Sequence, residues 1–224
     1  MLRILFLLSV YKMRTAKVLS FDMDGTLTRL TFADEVWHVC LPKLRARKMG
    51  ISLGEAQRLC RLEYDEIGDG RREWYDLDYW IKRFGLEVRK EEIFRSCERK
   101  VRLYPEVREV LRRLHRKYKL VIYTNAPKDF AEFQLRVSRI APLFSRVYSS
   151  ITDFGEVKRK ESFSFILSEL RVVPSQMVHV GDHPKFDFEV PRSLGIRAYL
   201  MDRKKKFSGD HVIRNLRELE EKLP

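Results

Sequence analysis

Apolar residues follow two rhythms along the chain. In the first, short unbroken runs stop abruptly at polar residues. Lys17-Val18-Leu19-Ser20-Phe21 leads into Asp22-Met23-Asp24-Gly25, and Leu120-Val121-Ile122-Tyr123 into Thr124-Asn125. Met177-Val178-His179-Val180 leads into Gly181-Asp182, and Arg197-Ala198-Tyr199-Leu200-Met201 into Asp202. Runs of this length that lack polar alternation predict strands covered on both faces. The second rhythm is helical. Over residues 105–118, Val107, Val110, Leu111, Leu114 and Tyr118 share one face, and Pro105 suits the first turn. Strands alternating with such helices predict a parallel α/β sheet, in which ligands bind beyond the carboxyl ends of the strands. All the polar clusters that end the runs fall there.

Between Thr28 and Leu103 the strand rhythm disappears. Phe32, Val36, Val39, Cys40 and Leu44 recur with helical period, and Pro42 is expected to bend or break that helix. About seventy residues are too many for a connecting loop, so this stretch reads as a helical cap over the site. The expected architecture is a Rossmann-like parallel sheet flanked by helices, formed by residues 14–28 and 104–224, with a small all-helical cap at 29–103. Residues 1–13 form an extension to which no role is assigned, and Met13 is an alternative natural start. The apolar stretch from Ile4 to Val10 is too short to span a bilayer and has no small-residue cleavage site after it.

Composition narrows the class. With 44% hydrophobic and 34% charged residues the chain has the makings of a packed core. The net charge of +13 invites a nucleic-acid reading, but the charges are spread. Arg112, Arg113, Arg116 and Lys117 share a helix with Glu106 and Glu109, and the basic run from Arg203 ends at Lys206. Such charges read as solvated faces, or as attraction for anionic substrates, rather than as a nucleic-acid surface. A charge-rich composition poor in Asn and Gln also matches heat-adapted proteins. Cys40, Cys60 and Cys97 are odd in number and lack CxxC spacing, which predicts buried free thiols in a reducing cytoplasm. His38, His115, His179 and His211 have no ligand spacing.

The densest chemical signal is Asp22-Met23-Asp24-Gly25-Thr26-Leu27-Thr28. Carboxylates held together at the end of an apolar strand repel one another and need a cation or a shared proton. Mg2+ supplies that charge while keeping coordination positions for water and phosphate. Gly25 lets the backbone turn closely around a ligand.

This segment resembles the first motif of the haloacid dehalogenase-like hydrolases, and the later clusters resemble the remaining motifs in order, from about residue 15 onward. The resemblance implies that Asp22 is a nucleophile that forms a phospho-aspartate, and that Asp24 is the general acid and base. It implies that Thr124 and the backbone N–H of Asn125 hold phosphoryl oxygens. It also calls for a lysine that neutralises Asp22. The family pattern Lys-Pro-x-Pro is here Lys160-Glu161-Ser162-Phe163, without either proline. Lys160, just before a helical stretch, is the first choice and Lys158 the second. Gly181-Asp182-His183-Pro184-Lys185-Phe186-Asp187 matches the fourth motif. Asp182 is then a magnesium ligand beside the Asp22 carboxylate and the Asp24 backbone carbonyl, with Asp187 a further ligand or an orienting group. His183 reads as a local hydrogen-bonding residue, with contact to substrate or cap as the alternative.

The activity implied is magnesium-dependent hydrolysis of a small phosphorylated metabolite such as a sugar phosphate, 2-phosphoglycolate or a nucleotide. The second aspartate argues against halide displacement. A phosphomutase and a non-catalytic nucleic-acid or protein binding module are the alternatives. Trp37, Trp74, Tyr75, Tyr79 and Trp80 enrich the cap in aromatic rings, which read mainly as cap core, with a substrate-facing surface as the alternative. No membrane partner is expected, and oligomeric state is left open.

Overall fold

The computed structural model describes residues 16–223. Met13, the alternative start, and the extension before it lie outside the described residues. The apolar runs form parallel strands: β1 (Val18–Phe21), β2 (Lys119–Thr124), β3 (Arg146–Ser149), β4 (Met177–Gly181), β5 (Arg197–Met201) and β6 (Val212–Ile213). They build one sheet in the order β3-β2-β1-β4-β5-β6, with β1 and β4 at its centre. The four anticipated strands are present. β3 and β6 were not anticipated, because Arg146-Val147-Tyr148-Ser149 carries only two apolar residues and β6 is two residues long.

Each central strand is apolar on both faces. Leu19, Phe21, Leu120 and Ile122 point into one core with Val107, Val110, Leu111 and Leu114. Val18, Val121 and Tyr123 point into the opposite core with Phe163, Ile166 and Leu167. This two-sided burial is why the strands read as continuous runs.

Between β1 and β2 the chain is helical: α1 (Thr31–Asp34), a π-helical turn Glu35–Cys40, α2 (Leu41–Met49), α3 (Leu53–Ile67), α4 (Leu77–Arg83) and α5 (Lys90–Cys97), with short 3-10 turns. The two ends of this insertion are tied together. Thr28 bridges Leu103 antiparallel, and the N–H of Arg29 donates to the Arg102 carbonyl at 2.8 Å. The insertion's aromatic core includes Phe32, Trp80 and Phe94, and it takes in Phe130 and Phe133 from α7 (Lys128–Val137), the helix after β2. Phe32 packs 4.8 Å from Phe130 and 5.5 Å from Phe133, centroid to centroid. Before α7 runs α6 (Val107–His115); after it come α8 (Ser150–Phe154), α9 (Lys160–Leu170), α10 (Val190–Arg192) and α11 (Leu216–Lys222).

Pro42 has a subtler effect than a break. The Leu41 N–H bonds back to the Val36 carbonyl, five residues away, and Pro42 has no N–H to offer. The carbonyls of Trp37 and His38 are met from α3 instead. The Tyr64 hydroxyl donates to Trp37 O at 3.1 Å, and the Gln57 amide to His38 O at 2.9 Å. The helix therefore continues through a π turn. Cys40, Cys60 and Cys97 are free thiols, with Cys40 only partly buried. Among the described residues no helix is long and apolar enough to cross a membrane.

Candidate active site

Strand register brings the polar clusters to one end of the sheet. β1 ends at Phe21 and β4 at Gly181, paired in parallel, so Asp22 and Asp182 leave adjacent strands side by side. Thr124 closes β2 on the other side of β1. A cavity of about 300 Å³ lies above these ends, lined from the core by Asp22, Asp24, Thr124, Asn125, Asp182 and Asp187 among others. Two glycines make the crowding feasible. A Cβ on Gly25, whose φ is +80°, would stand 2.2 Å from Asp182 Oδ2, and one on Gly181 would stand 2.2 Å from Asp187 Cγ.

The lysine at this site is Lys158. It is 2% exposed, and its Nζ lies 2.7 Å from Asp22 Oδ1 and 2.6 Å from Asp187 Oδ1. Lys160, the first choice from sequence, is the exposed first residue of α9 and does not line the cavity. The correction has a local cause. Without the motif prolines the helix start did not fix the register, and the inward-pointing lysine sits in the extended segment two residues earlier. Burial disfavours the charge on Lys158, but Asp187 and Asp22 outweigh it and hold the ammonium above its ordinary range.

Asp187 is the hub of this network. Its Oδ1 also meets His179 Nε2 at 3.1 Å, and its Oδ2 accepts the His183 N–H at 3.0 Å. Burial opposes its ionisation, but Lys158 and His179 prevail and keep its carboxyl well below the usual range. His179 in turn meets Ser20 Oγ at 2.9 Å through Nδ1, across a register pair of β1 and β4. Burial pulls His179 down, against the pull of Asp187, and favours the neutral ring. Two polar residues facing each other inside otherwise apolar strands were a signal available in the sequence: each needs a buried partner.

The remaining carboxyls are short of compensation. Burial pushes Asp22 up to about 7, with Lys158 pulling the other way and Asp187 adding to the rise. Burial also pushes Asp24 up to about 6, moderated by donors from Gln134 Nε2 at 3.0 Å and Thr28 Oγ1 at 3.4 Å. Asp182 is raised by burial and by Asp22 and Asp187. Carboxylate oxygens of Asp22, Asp182 and Asp187 lie within 4.8 Å of one another, and the Asp24 carboxylate stands outside that group. Hard oxygen donors with unmet negative charge fit a divalent cation such as Mg2+.

Asn125 contributes more than its backbone. Its Oδ1 accepts from the Lys158 N–H at 2.9 Å and the Ser150 hydroxyl at 2.7 Å, and its Nδ2 donates to the Tyr75 hydroxyl at 3.2 Å. Thr124 Oγ1 accepts the Ala126 N–H at 3.1 Å, which leaves its own proton free to point into the cavity. Arg203, read as part of a solvated run, instead braces the Asp24 loop. It donates to the Thr26 carbonyl at 2.8 Å, pairs with Glu106 at 2.9 Å and stacks 3.5 Å over Tyr104.

The helical insertion supplies the opposite wall. Leu30, Ala33, Asp34, Trp37 and His38 follow helical spacing along the cavity, joined by Asp69, Trp74 and Tyr75. The aromatic set therefore divides. Trp80 is fully buried in the insertion's core, with Tyr79 packed against it, whereas Trp37, Trp74 and Tyr75 face the cavity. His183 caps its own helical turn by accepting the Phe186 N–H at 3.3 Å, and its Nε2 meets Asp69 Oδ2 at 3.2 Å across the cavity mouth. Gln134, Tyr75 and Asp69 had no motif to announce them, since their roles depend on what the insertion and α7 pack against.

Comparisons with known proteins agree with this arrangement. A family model described as haloacid dehalogenase-like hydrolase matches residues 16–195. Among solved structures, a HAD phosphatase from Thermococcus onnurineus superposes with a TM-score of 0.81 at 28% identity, over 92% of this chain and 96% of that one. The HAD-hydrolase YfnB from Bacillus subtilis, solved bound to magnesium, shares the fold with a TM-score of 0.71 at 20% identity, over 93% of this chain and 99% of that one. Curated relatives match over shorter stretches. The GMP/IMP nucleotidase YrfG of Escherichia coli is 36% identical over 67 residues, 30% of each chain. A phosphoglycolate phosphatase of Aliivibrio fischeri is 32% identical over 101 residues, 44% of each chain. The matched stretches thus span less than half the length of these relatives.

Proposed function

The chain belongs to the haloacid dehalogenase-like hydrolases, and from that premise we propose that it is a magnesium-dependent phosphatase acting on a small phosphate monoester through a phospho-aspartate on Asp22. The observation that carries this reading is the contact of Lys158 Nζ with Asp22 Oδ1 at 2.7 Å on the floor of a cavity that also holds Asp24 and Asp182.

An oxygen of Asp22 attacks phosphorus, forming an O–P bond as the bond to the leaving oxygen breaks. Asp24, with a carboxyl raised to about 6 by burial, gives its proton to the leaving oxygen. The resulting carboxylate then takes a proton from water as that water attacks phosphorus, breaking the acyl phosphate and restoring Asp22. Lys158 offsets the charge of Asp22 and of the phosphoryl group, with Asp187, itself bonded to His179, holding the ammonium in place. The Thr124 hydroxyl and the N–H groups of the following loop orient phosphoryl oxygens. Asp22, Asp182 and the Asp24 backbone carbonyl would hold Mg2+, which would supply positive charge beside the transferring phosphoryl group. The helical insertion acts as the cap, and the free thiols suit a reducing cytoplasm.

The test is magnesium-dependent phosphate release from a panel of phosphate monoesters by the parent chain and Asp22→Asn. The parent is expected to turn over, and the variant to lose at least about 10⁴-fold in kcat. Equal rates for the two proteins, or no turnover by a folded parent across the panel, would sink the phospho-aspartate phosphatase.

A further inference from the structure

The chain as a whole is strongly basic, yet its cavity is not. With 45 Lys and Arg against 32 Asp and Glu, the net charge is +13. The cavity lining nevertheless contains six aspartates, one lysine and no arginine. That lysine, Lys158, is already engaged by Asp22 and Asp187. On the insertion side, where the part of a substrate beyond its phosphate must lie, the charged residues are Asp34 and Asp69. Aromatic rings line the same cavity: Trp37, Trp74 and Tyr75, with Phe130 of α7.

Each feature selects. A carboxylate on the leaving group would face Asp34 and Asp69 with no lysine or arginine to receive it, and like-charge juxtaposition rejects a ligand strongly. An aromatic or apolar body gains by displacing water from the rings. Asp34 accepts hydrogen bonds from hydroxyl, amide or amino groups, as does Asp69 beside its contact with His183. A cavity of about 300 Å³ admits a single such group.

Resting on the phosphatase reading, we propose that the substrates of this site are phosphate monoesters whose leaving alcohol has an aromatic or apolar body with hydrogen-bond donors and no carboxylate. Leaving groups that are small carboxylates, as in 2-phosphoglycolate, are rejected by the insertion wall.

A matched set isolates that wall from the chemistry. Phenylphosphonate, 4-carboxyphenylphosphonate and 4-(aminomethyl)phenylphosphonate are titrated into the full chain with Mg2+, with quenching of tryptophan fluorescence as the readout. The corresponding phosphate esters are assayed for phosphate release. The carboxylate-bearing phosphonate is expected to bind at least about tenfold more weakly than the other two, a ratio that Asp34→Lys narrows or reverses. Equal or tighter binding of the carboxylate compound overturns the proposal, as does an unchanged ratio in Asp34→Lys. Failure of every ester to release phosphate, with the phosphonate preference intact, would instead remove the phosphatase reading and leave the pocket's preference standing.

Discussion

On the core side of the cavity, Lys158 is held by Asp22 and Asp187, and Asp187 by His179 and the His183 N–H, while Asp22 and Asp182 keep unmet negative charge. On the insertion side the wall is mostly rings. Its polar ties to the core include Tyr75 to Asn125 at 3.2 Å, Asp69 to His183 at 3.2 Å and, further out, Lys90 to Asp129 at 2.7 Å. The first arrangement is a buried network in which removing Lys158 or Asp187 strands an opposite buried charge. The second is a packed aromatic surface docked through partly exposed contacts, which can be retailored without disturbing the network. Losses on the core side should therefore appear in kcat for every substrate, and losses on the insertion side in KM and in the ranking of substrates.

The largest effect expected comes from the lysine pair. Lys158→Ala should lower kcat by about 10²–10⁴-fold, as for removal of a principal charge-stabilising donor, while Lys160→Ala should stay within about twofold of the parent. Steady-state kinetics on one ester decides it; a larger loss for Lys160→Ala would move the site to the surface of α9.

The second prediction concerns stability and pH in metal-free protein. The folded state holds protons on Asp22 up to about 7 and on Asp24 up to about 6, against 3.8 for an ordinary Asp, so it binds more protons there than the unfolded chain does. Their contribution is fully present below about pH 4 and lost as pH rises through those values. His179, lowered by burial, contributes with the opposite sign below its ordinary value of 6.5. The difference between parent and variant isolates Asp22. In EDTA, Asp22→Asn should melt several degrees above the parent at pH 7.5, about the shift expected for a few kcal/mol in a chain of this size, and the gain should vanish near pH 4. Mg2+ should raise the parent more than the variant. Calorimetry that finds the variant less stable than the parent at pH 7.5 in EDTA would contradict the charge imbalance at the floor.

Gln134→Leu should act more gently. It removes a donor to Asp24, so the Asp24 carboxyl should rise and the limb of the kcat/KM profile assigned to it should move to higher pH, with less than about tenfold loss at the optimum. An unshifted profile would mean that Gln134 only fills space. Smallest of all, Tyr75→Phe loses the hydroxyl contacts to Asn125 Nδ2 and the Asp69 carbonyl, and should raise KM severalfold with kcat nearly unchanged. A kcat loss as deep as that of Lys158→Ala would erase the distinction between the two walls.

The same division governs how much of the fold and the site is legible in the sequence. The central strands and the aspartates at their ends were legible because two-sided burial writes a continuous apolar run, and the break in that run marks the loop. Lys158 against Lys160 was not, since both are lysines near a helix start and only packing distinguishes them. The edge strands β3 and β6 are too polar or too short to announce themselves. The partition of the aromatic set between core and cavity depends on how the insertion folds back on α7, which no local pattern encodes.

The π turn at Glu35–Cys40 gives the insertion wall an angular seam. Ala33 and Asp34 before it and Trp37 and His38 within it face the cavity; after it, Leu41 and Pro42 turn into buried positions. Each residue of an α-helix advances about 100° around the axis, so deleting a single residue from the seam would swing one half of the helix against the other by that angle. Tyr64 and Gln57, which hold the two carbonyls at the seam, act as the detent that keeps the cavity-facing half indexed to the half anchored within the insertion.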